Sequence, residues 1–240
     1  MKIHGTSEGG ALGKKDFGVA VDVSAPAPSA WFEDDYTDST GWTQDGSEID
    51  IDNHVSDAVG GTAITQTATN QRVYRALPDD LNDELWYLDI TMNSVSMNQY
   101  AQIFSVVVSA GTTYAYGATD VIGIDLSEAN ASNVRLRGWA RYFGSGSAQV
   151  YTSNQNKSYN TVYYYRLSRD SATQITLTLF TDESGGTVAS GFPQSATIPS
   201  DMGTGDYALD TIQHSNMASG DVRSQSWWGT NVKIYDNEAP

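Results

Sequence analysis

The chain has 240 residues, 39% hydrophobic and 11% aromatic, with no cysteine and a formal net charge of -16. The apolar share suffices for a packed core, which excludes global disorder, and the missing cysteines exclude disulfides and thiolate metal sites. The acidic balance speaks against nucleic acid or an anionic membrane surface as partner, and no stretch approaches the ~20 apolar residues of a membrane span.

Met1–Ala30 is rich in Gly and Ser, then carries the alternating run Phe17, Val19, Val21, Val23 and closes on Ala-Pro-Ala-Pro. The alternation predicts one strand and the prolines a stiff connector. We read residues 1–30 as an arm that docks on another surface, a second copy of the chain in particular, and residues 31–240 as the folded domain. The opening residues lack an apolar signal core. Export would then follow another route, such as assembly into a virus particle.

From Trp31 the pattern is strand after strand. Trp31–Tyr36 and Gly41–Asn53 come first, then the long β-branched segment Ala63–Leu77. Leu85–Met92 alternates with Trp86, Leu88, Ile90 and Met92 on one side. Tyr100–Ser109 is apolar on both faces, as a central strand is. Tyr114–Tyr116, Val121–Leu126, Val134–Phe143 and Ala148–Ser153 follow, each bounded by turn-forming residues. Thr187–Phe192, Tyr207–His214 and Asn231–Asp236 close the chain. Short helical turns are expected only around Pro78–Glu84 and Ser127–Ser132.

The firmest local pattern is Asn160–Glu183. Tyr163, Tyr165 and Leu167 share one face of a first strand, and Ile175, Leu177 and Leu179 one face of a second. The linking residues Asp170–Thr173 have short side chains that bond back to the backbone. About a dozen strands at regular spacing, with turns between them, mean an all-β antiparallel sandwich or barrel rather than βαβ units.

An opening aromatic strand, then W-T-Q-D-G-S-E-I-D-I-D-N, R-V-Y-R-A-L and L-W-Y-L-D-I-T, resembles the first half of a concanavalin A-like jelly roll. Y-Y-Y-R-L-S-R-D, I-T-L-T-L-F-T-D-E-S-G-G, Y-A-L-D-T-I and N-V-K-I-Y-D-N resemble the second half of its laminin G-like branch. The resemblance covers about Trp31–Asn237. It implies a two-sheet jelly-roll sandwich with one flat and one curved sheet, the curved one offering a groove. Members of that superfamily bind glycans, cleave them, or serve as adhesion and particle-surface modules.

Three stretches carry candidate chemistry. In Val134–Phe143, Arg135, Arg137, Trp139 and Arg141 fall on one face, and Leu136, Ala140 and Tyr142 on the other. Three of the chain's 13 basic residues stand here beside an indole. A sugar stacked on Trp139, with guanidinium forks on a carboxylate or sulfate, would make a groove for an acidic glycan. The competing expectation is pairing of those arginines with acids across the sheet. Tyr151 is the nearby aromatic added to this glycan-binding set.

Glu48, Asp50 and Asp52 share one strand face and resemble the E-I-D-I-E signature of laminarinase-type glycoside hydrolases. That resemblance would make Glu48 the nucleophile, Asp50 the orienting carboxylate and Asp52 the acid/base, with Asp where the family has Glu. For a metal, Asp45, Asp50 and Asp52 supply hard oxygen ligands suited to calcium, without the loop of an EF-hand. His4, His54 and His214 have no zinc-type spacing. No other cofactor is implied.

The expectation from sequence is a sandwich that is not an enzyme. It would be displayed at a virion surface or outside a cell, with glycan or a neighbouring structural protein as partner, and would self-associate through its arm without inserting into a membrane.

Overall fold

The computed structural model describes residues 29–34, 40–45, 64–66, 71–82, 84–97, 101–110, 120–142, 148–203, 207–214, 225–237 and 239–240. Among them there are strands and turns and no helix. The strands are β1 (Phe32–Asp34), β2 (Thr43–Asp45), β3 (Ile64–Gln66), β4 (Gln71–Ala76) and β5 (Trp86–Met97). Next come β6 (Ala101–Ser109), β7 (Val121–Asn130), β8 (Asn133–Tyr142), β9 (Ala148–Tyr151) and β10 (Gln155–Ser158). The last are β11 (Tyr163–Ser171), β12 (Gln174–Phe180), β13 (Gln194–Thr197), β14 (Tyr207–His214) and β15 (Gln225–Asp236).

Two antiparallel sheets result. A seven-stranded sheet runs β1-β15-β5-β11-β12-β13, with β3 also on β15; an eight-stranded sheet runs β10-β8-β7-β6-β14-β4-β2, with β9 also on β8. This is the jelly-roll sandwich that the resemblance implies, one of the two all-β forms that the strand pattern allows. Its core lies between the layers, where period-two faces meet. Leu88, Ile90, Leu167, Ile175, Leu177, Leu179 and Ile234 come from the seven-stranded sheet, and Ile122, Ile124, Leu126, Val134 and Leu136 from the other. Burial of such side chains, roughly 1.5–3 kcal/mol each, is what an all-β chain without disulfides has to hold it.

The hairpin forms as its alternation predicts. Tyr165 stands opposite Leu179, Leu167 opposite Leu177 and Arg169 opposite Ile175, with Ala172 and Thr173 as the turn. The third inward position is therefore an arginine. Arg169 is fully buried and donates from Nη2 to the carbonyls of Ala172 (3.2 Å) and Met202 (3.0 Å).

Several expected elements differ. Residues 127–132 are the end of β7 and a tight turn into β8, because Asn130 Oδ1 accepts the Ser132 N–H (2.9 Å) and ends the strand without a helical turn. The stretch before β5 is irregular: Asn82 Oδ1 accepts the N–H groups of Glu84 (2.7 Å) and Leu85 (2.9 Å), and competes with helix for them. Thr187–Phe192 is no strand but a loop with a single bridge, Val188 to Phe180, and the edge strand falls later, at β13. The expected strand Tyr114–Tyr116 and the arm at 1–28 lie outside the described residues.

An arginine and tyrosine face on the eight-stranded sheet

β8 has its inner residues, Val134, Leu136 and Ala140, in the core, so Arg135, Arg137, Trp139 and Arg141 share its outer face. Register sets their neighbours. Ser127, Asp125, Gly123 and Val121 of β7 lie opposite Arg135, Arg137, Trp139 and Arg141 in turn, and Tyr151 of β9 lies opposite Trp139 on the other side.

Gly138 marks a close approach between the layers. A Cβ there would lie 3.0 Å from Thr152 Cγ2 and 3.4 Å from both Leu167 Cδ1 and Leu177 Cβ. Thr152 also holds this point of β8: its N–H donates to the Gly138 carbonyl (2.9 Å) and its Oγ1 accepts the Gly138 N–H (2.9 Å). The strand that carries the arginines is thus anchored to the core beneath them.

Trp139, expected to offer a ring for stacking, is 0% exposed. It forms a small second core with Val121, and Tyr74 of β4 and Tyr151 pack against them. Its ring has no open face for a sugar. An indole on a nominal outer face still seeks burial, and tyrosines on strands of both flanks supply it.

The other predicted residues come together above that cluster. Arg137 donates from Nε to Asp125 Oδ2 (2.5 Å), and Asp125 is fully buried. The same guanidinium lies 3.6 Å from the centroid of the Tyr151 ring, a cation–π contact, while the Tyr151 hydroxyl donates to Gln149 Oε1 (3.0 Å). Cross-strand pairing with an acid therefore holds for Arg137. It leaves the terminal nitrogens of Arg137 without a hydrogen bond to another described residue, and Arg135 has neither an ion pair nor a hydrogen bond there. Arg141 is half-buried beside them.

Tyr74 is the contributor that sequence reasoning missed. The signal was present in R-V-Y-R, but nothing local says that β4 lies on the same sheet as β8. Of the proposed metal set, Asp45 falls in β2 opposite Arg72, and Asp50 and Asp52 lie outside the described residues, as does Glu48. Among the described residues no group of three His, Asp or Glu is placed to hold a metal ion. No helix among them is long and apolar enough to cross a membrane, which says nothing about strands.

No protein-family model matches the chain, and no curated protein matches it in sequence. Solved structures do match in fold. A glycoside hydrolase family 16 endo-glucanase from Bacteroides ovatus is 13% identical, with 85% of this chain and 99% of that one covered at a TM-score of 0.53. The Crh5 transglycosylase is 10% identical over 86% of this chain and 84% of that one, at 0.52. The globular domain of T. cruzi calreticulin is 9% identical over 88% and 89%, at 0.50.

These likenesses show the fold alone: a two-sheet jelly-roll sandwich, shared with these neighbours. They also correct the expectation that the chain is not an enzyme. Its fold is shared with glycoside hydrolases and transglycosylases, so the architecture gives no ground for setting catalysis aside.

Proposed function

We propose that the chain recognises glycans bearing carboxylate or sulfate groups on the outer face of its eight-stranded sheet. The observation that supports this is the juxtaposition of two neighbouring guanidinium groups, one fixed in place and one open. Arg137 is held on Tyr151 by Asp125 with its terminal nitrogens uncommitted among the described residues, and Arg135 makes no ion pair or hydrogen bond with another described residue. Residues i and i+2 of a strand stand roughly 6.5–7 Å apart on one face, so two anionic groups of one chain can be met in succession. A guanidinium donates two parallel hydrogen bonds to such a group, and pre-fixing one of them reduces the ordering cost of binding.

The net charge of -16 repels anions at long range. Charges beyond about 8 Å are largely screened at physiological ionic strength, so contact-range arginines decide the outcome. Retention on heparin and on polygalacturonate, with dextran as the neutral control, tests the reading. Arg135→Ala with Arg137→Ala should abolish retention on the acidic polymers. Unchanged retention of the double variant removes this reading.

In its finer form the reading is a laminin G-like module for display or adhesion at a virion or cell surface, with Met1–Ala30 as the attaching arm. Deletion of that arm should then abolish self-association in sedimentation. A second reading is glycan cleavage, favoured by the Glu48-Ile49-Asp50-Ile51-Asp52 row on a fold shared with an endo-glucanase. Release of reducing sugar from β-glucans, lost in Glu48→Gln, is its test.

A further inference from the structure

The seven-stranded sheet carries a separate feature on its outer face and at its β1 edge, where Arg75 of β4 reaches it. A cavity of about 520 Å³ lies beside Glu33, Asp34 and Arg75, and one of about 260 Å³ lies beside Asp89, Arg166 and Tyr235. Asn231 and Lys233 of β15 line both. We propose that together they form a binding groove for an uncharged oligosaccharide, distinct from the acidic-glycan face and independent of that reading.

The groove is built around a β-bulge. Thr230 pairs with Thr91 and Lys233 with Asp89, so Asn231 and Val232 together face the single residue Ile90. Val232 is fully buried, as is Ile90, so Asn231 is the extra residue. Its φ of 54° is one that asparagine tolerates far better than most side chains. A bulge of this kind re-aims a side chain, and here it sets an amide where the two cavities meet.

Charge in the groove is fixed and nearly balanced. Glu33, Lys233, Asp89 and Arg166 follow one another across β1, β15, β5 and β11 with alternating sign. Arg166 grips Asp89 with two parallel bonds, Nε to Oδ1 and Nη2 to Oδ2, both 2.7 Å, and Arg75 pairs with Asp34. An anionic ligand would meet Glu33, Asp89 and Glu183, and a cationic one Arg166 and Lys233. A hydroxyl both donates and accepts, so it can use the unspent lone pairs of the carboxylate and the unspent N–H groups of the guanidinium at once. Asn231, Tyr164 and Tyr235 add polar atoms that make no hydrogen bond to another described residue. Aromatic rings beside such groups are what a sugar, with one apolar face and a polar rim, requires.

One wall is preformed. Asp182 Oδ1 accepts the Gly186 N–H (3.0 Å) and the Ser184 hydroxyl, and the Asp182 carbonyl accepts the Gly185 N–H (3.2 Å). Gly185, at φ 69°, stands over Phe180, where a Cβ would lie 3.9 Å from the ring. The Arg166 guanidinium lies 5.4 Å from the centroid of that ring, which forms the floor.

The test is titration calorimetry of the full chain with four probes: cellotetraose, laminaritetraose, maltotetraose and mannotetraose. At least one should bind, roughly tenfold more weakly to Asn231→Gly and to Tyr235→Ala. Asn231→Gly keeps the backbone conformation, and circular dichroism with a thermal melt checks that both variants are folded. The double variant Arg135→Ala, Arg137→Ala should bind the same probe as well as the parent chain. Failure of all four to bind overturns the proposal. So does binding that both groove variants retain, or binding lost in the double arginine variant and kept in Asn231→Gly.

Discussion

Gly138 is a core position where a single methyl group should be felt directly. Gly138→Ala places a Cβ 3.0 Å from Thr152 Cγ2, tighter than most such contacts, with Leu167 and Leu177 each at 3.4 Å behind it. Overpacking of this kind typically costs about 1–3 kcal/mol. Replacing glycine also stiffens the unfolded chain, which returns about 0.4–1 kcal/mol where the backbone is compatible. The net expectation is a loss of up to about 2.6 kcal/mol, read as a lower urea midpoint at unchanged slope. At this chain length about 2–4 °C of melting temperature accompany each kcal/mol. Thr152→Ser removes Cγ2 but keeps the hydroxyl that accepts the Gly138 N–H. In that background Gly138→Ala should cost at least about 1 kcal/mol less, a coupling of the size neighbouring residues show. Equal cost in both backgrounds would refute the contact argument.

Three further outcomes follow from the same packing. Asp34→Ala removes the acceptor that Trp42 Nε1 (3.0 Å) and Arg75 share at β1, and should cost about 1.5–3 kcal/mol in urea unfolding. Leu177→Ala, at a fully buried core position, should cost about 2–5 kcal/mol by the same measurement. Burial first, and the neighbouring Tyr163 second, raise the Tyr165 hydroxyl above the ordinary tyrosine range. The unfolded chain then releases that proton from about pH 10 upward while the native one keeps it, so the associated stability is full below pH 10 and is lost as pH rises. Tyr165→Phe should flatten that alkaline decline in urea midpoints, and an unchanged slope would count against the burial argument.

Period-two alternation determined much of this protein before any tertiary information. It set the strands of the hairpin, the inward Tyr165, Leu167, Ile175, Leu177 and Leu179, and the division of β8 into an apolar and an arginine-bearing face. Each of those follows from covalent connectivity, since neighbouring side chains on a strand must point to opposite sides. Tertiary structure alone decided who sits across from whom. It put Asp125 opposite Arg137, closed Tyr74 and Tyr151 over Trp139, and brought Asp89 to Arg166 across 77 residues of chain. Register and sheet order arise from the packing of many strands at once, and no single stretch of sequence encodes them. The arginine face was therefore legible as a row of residue types. The burial of its indole, and the groove at the Asn231 bulge, came from strands that are distant along the chain and adjacent in space.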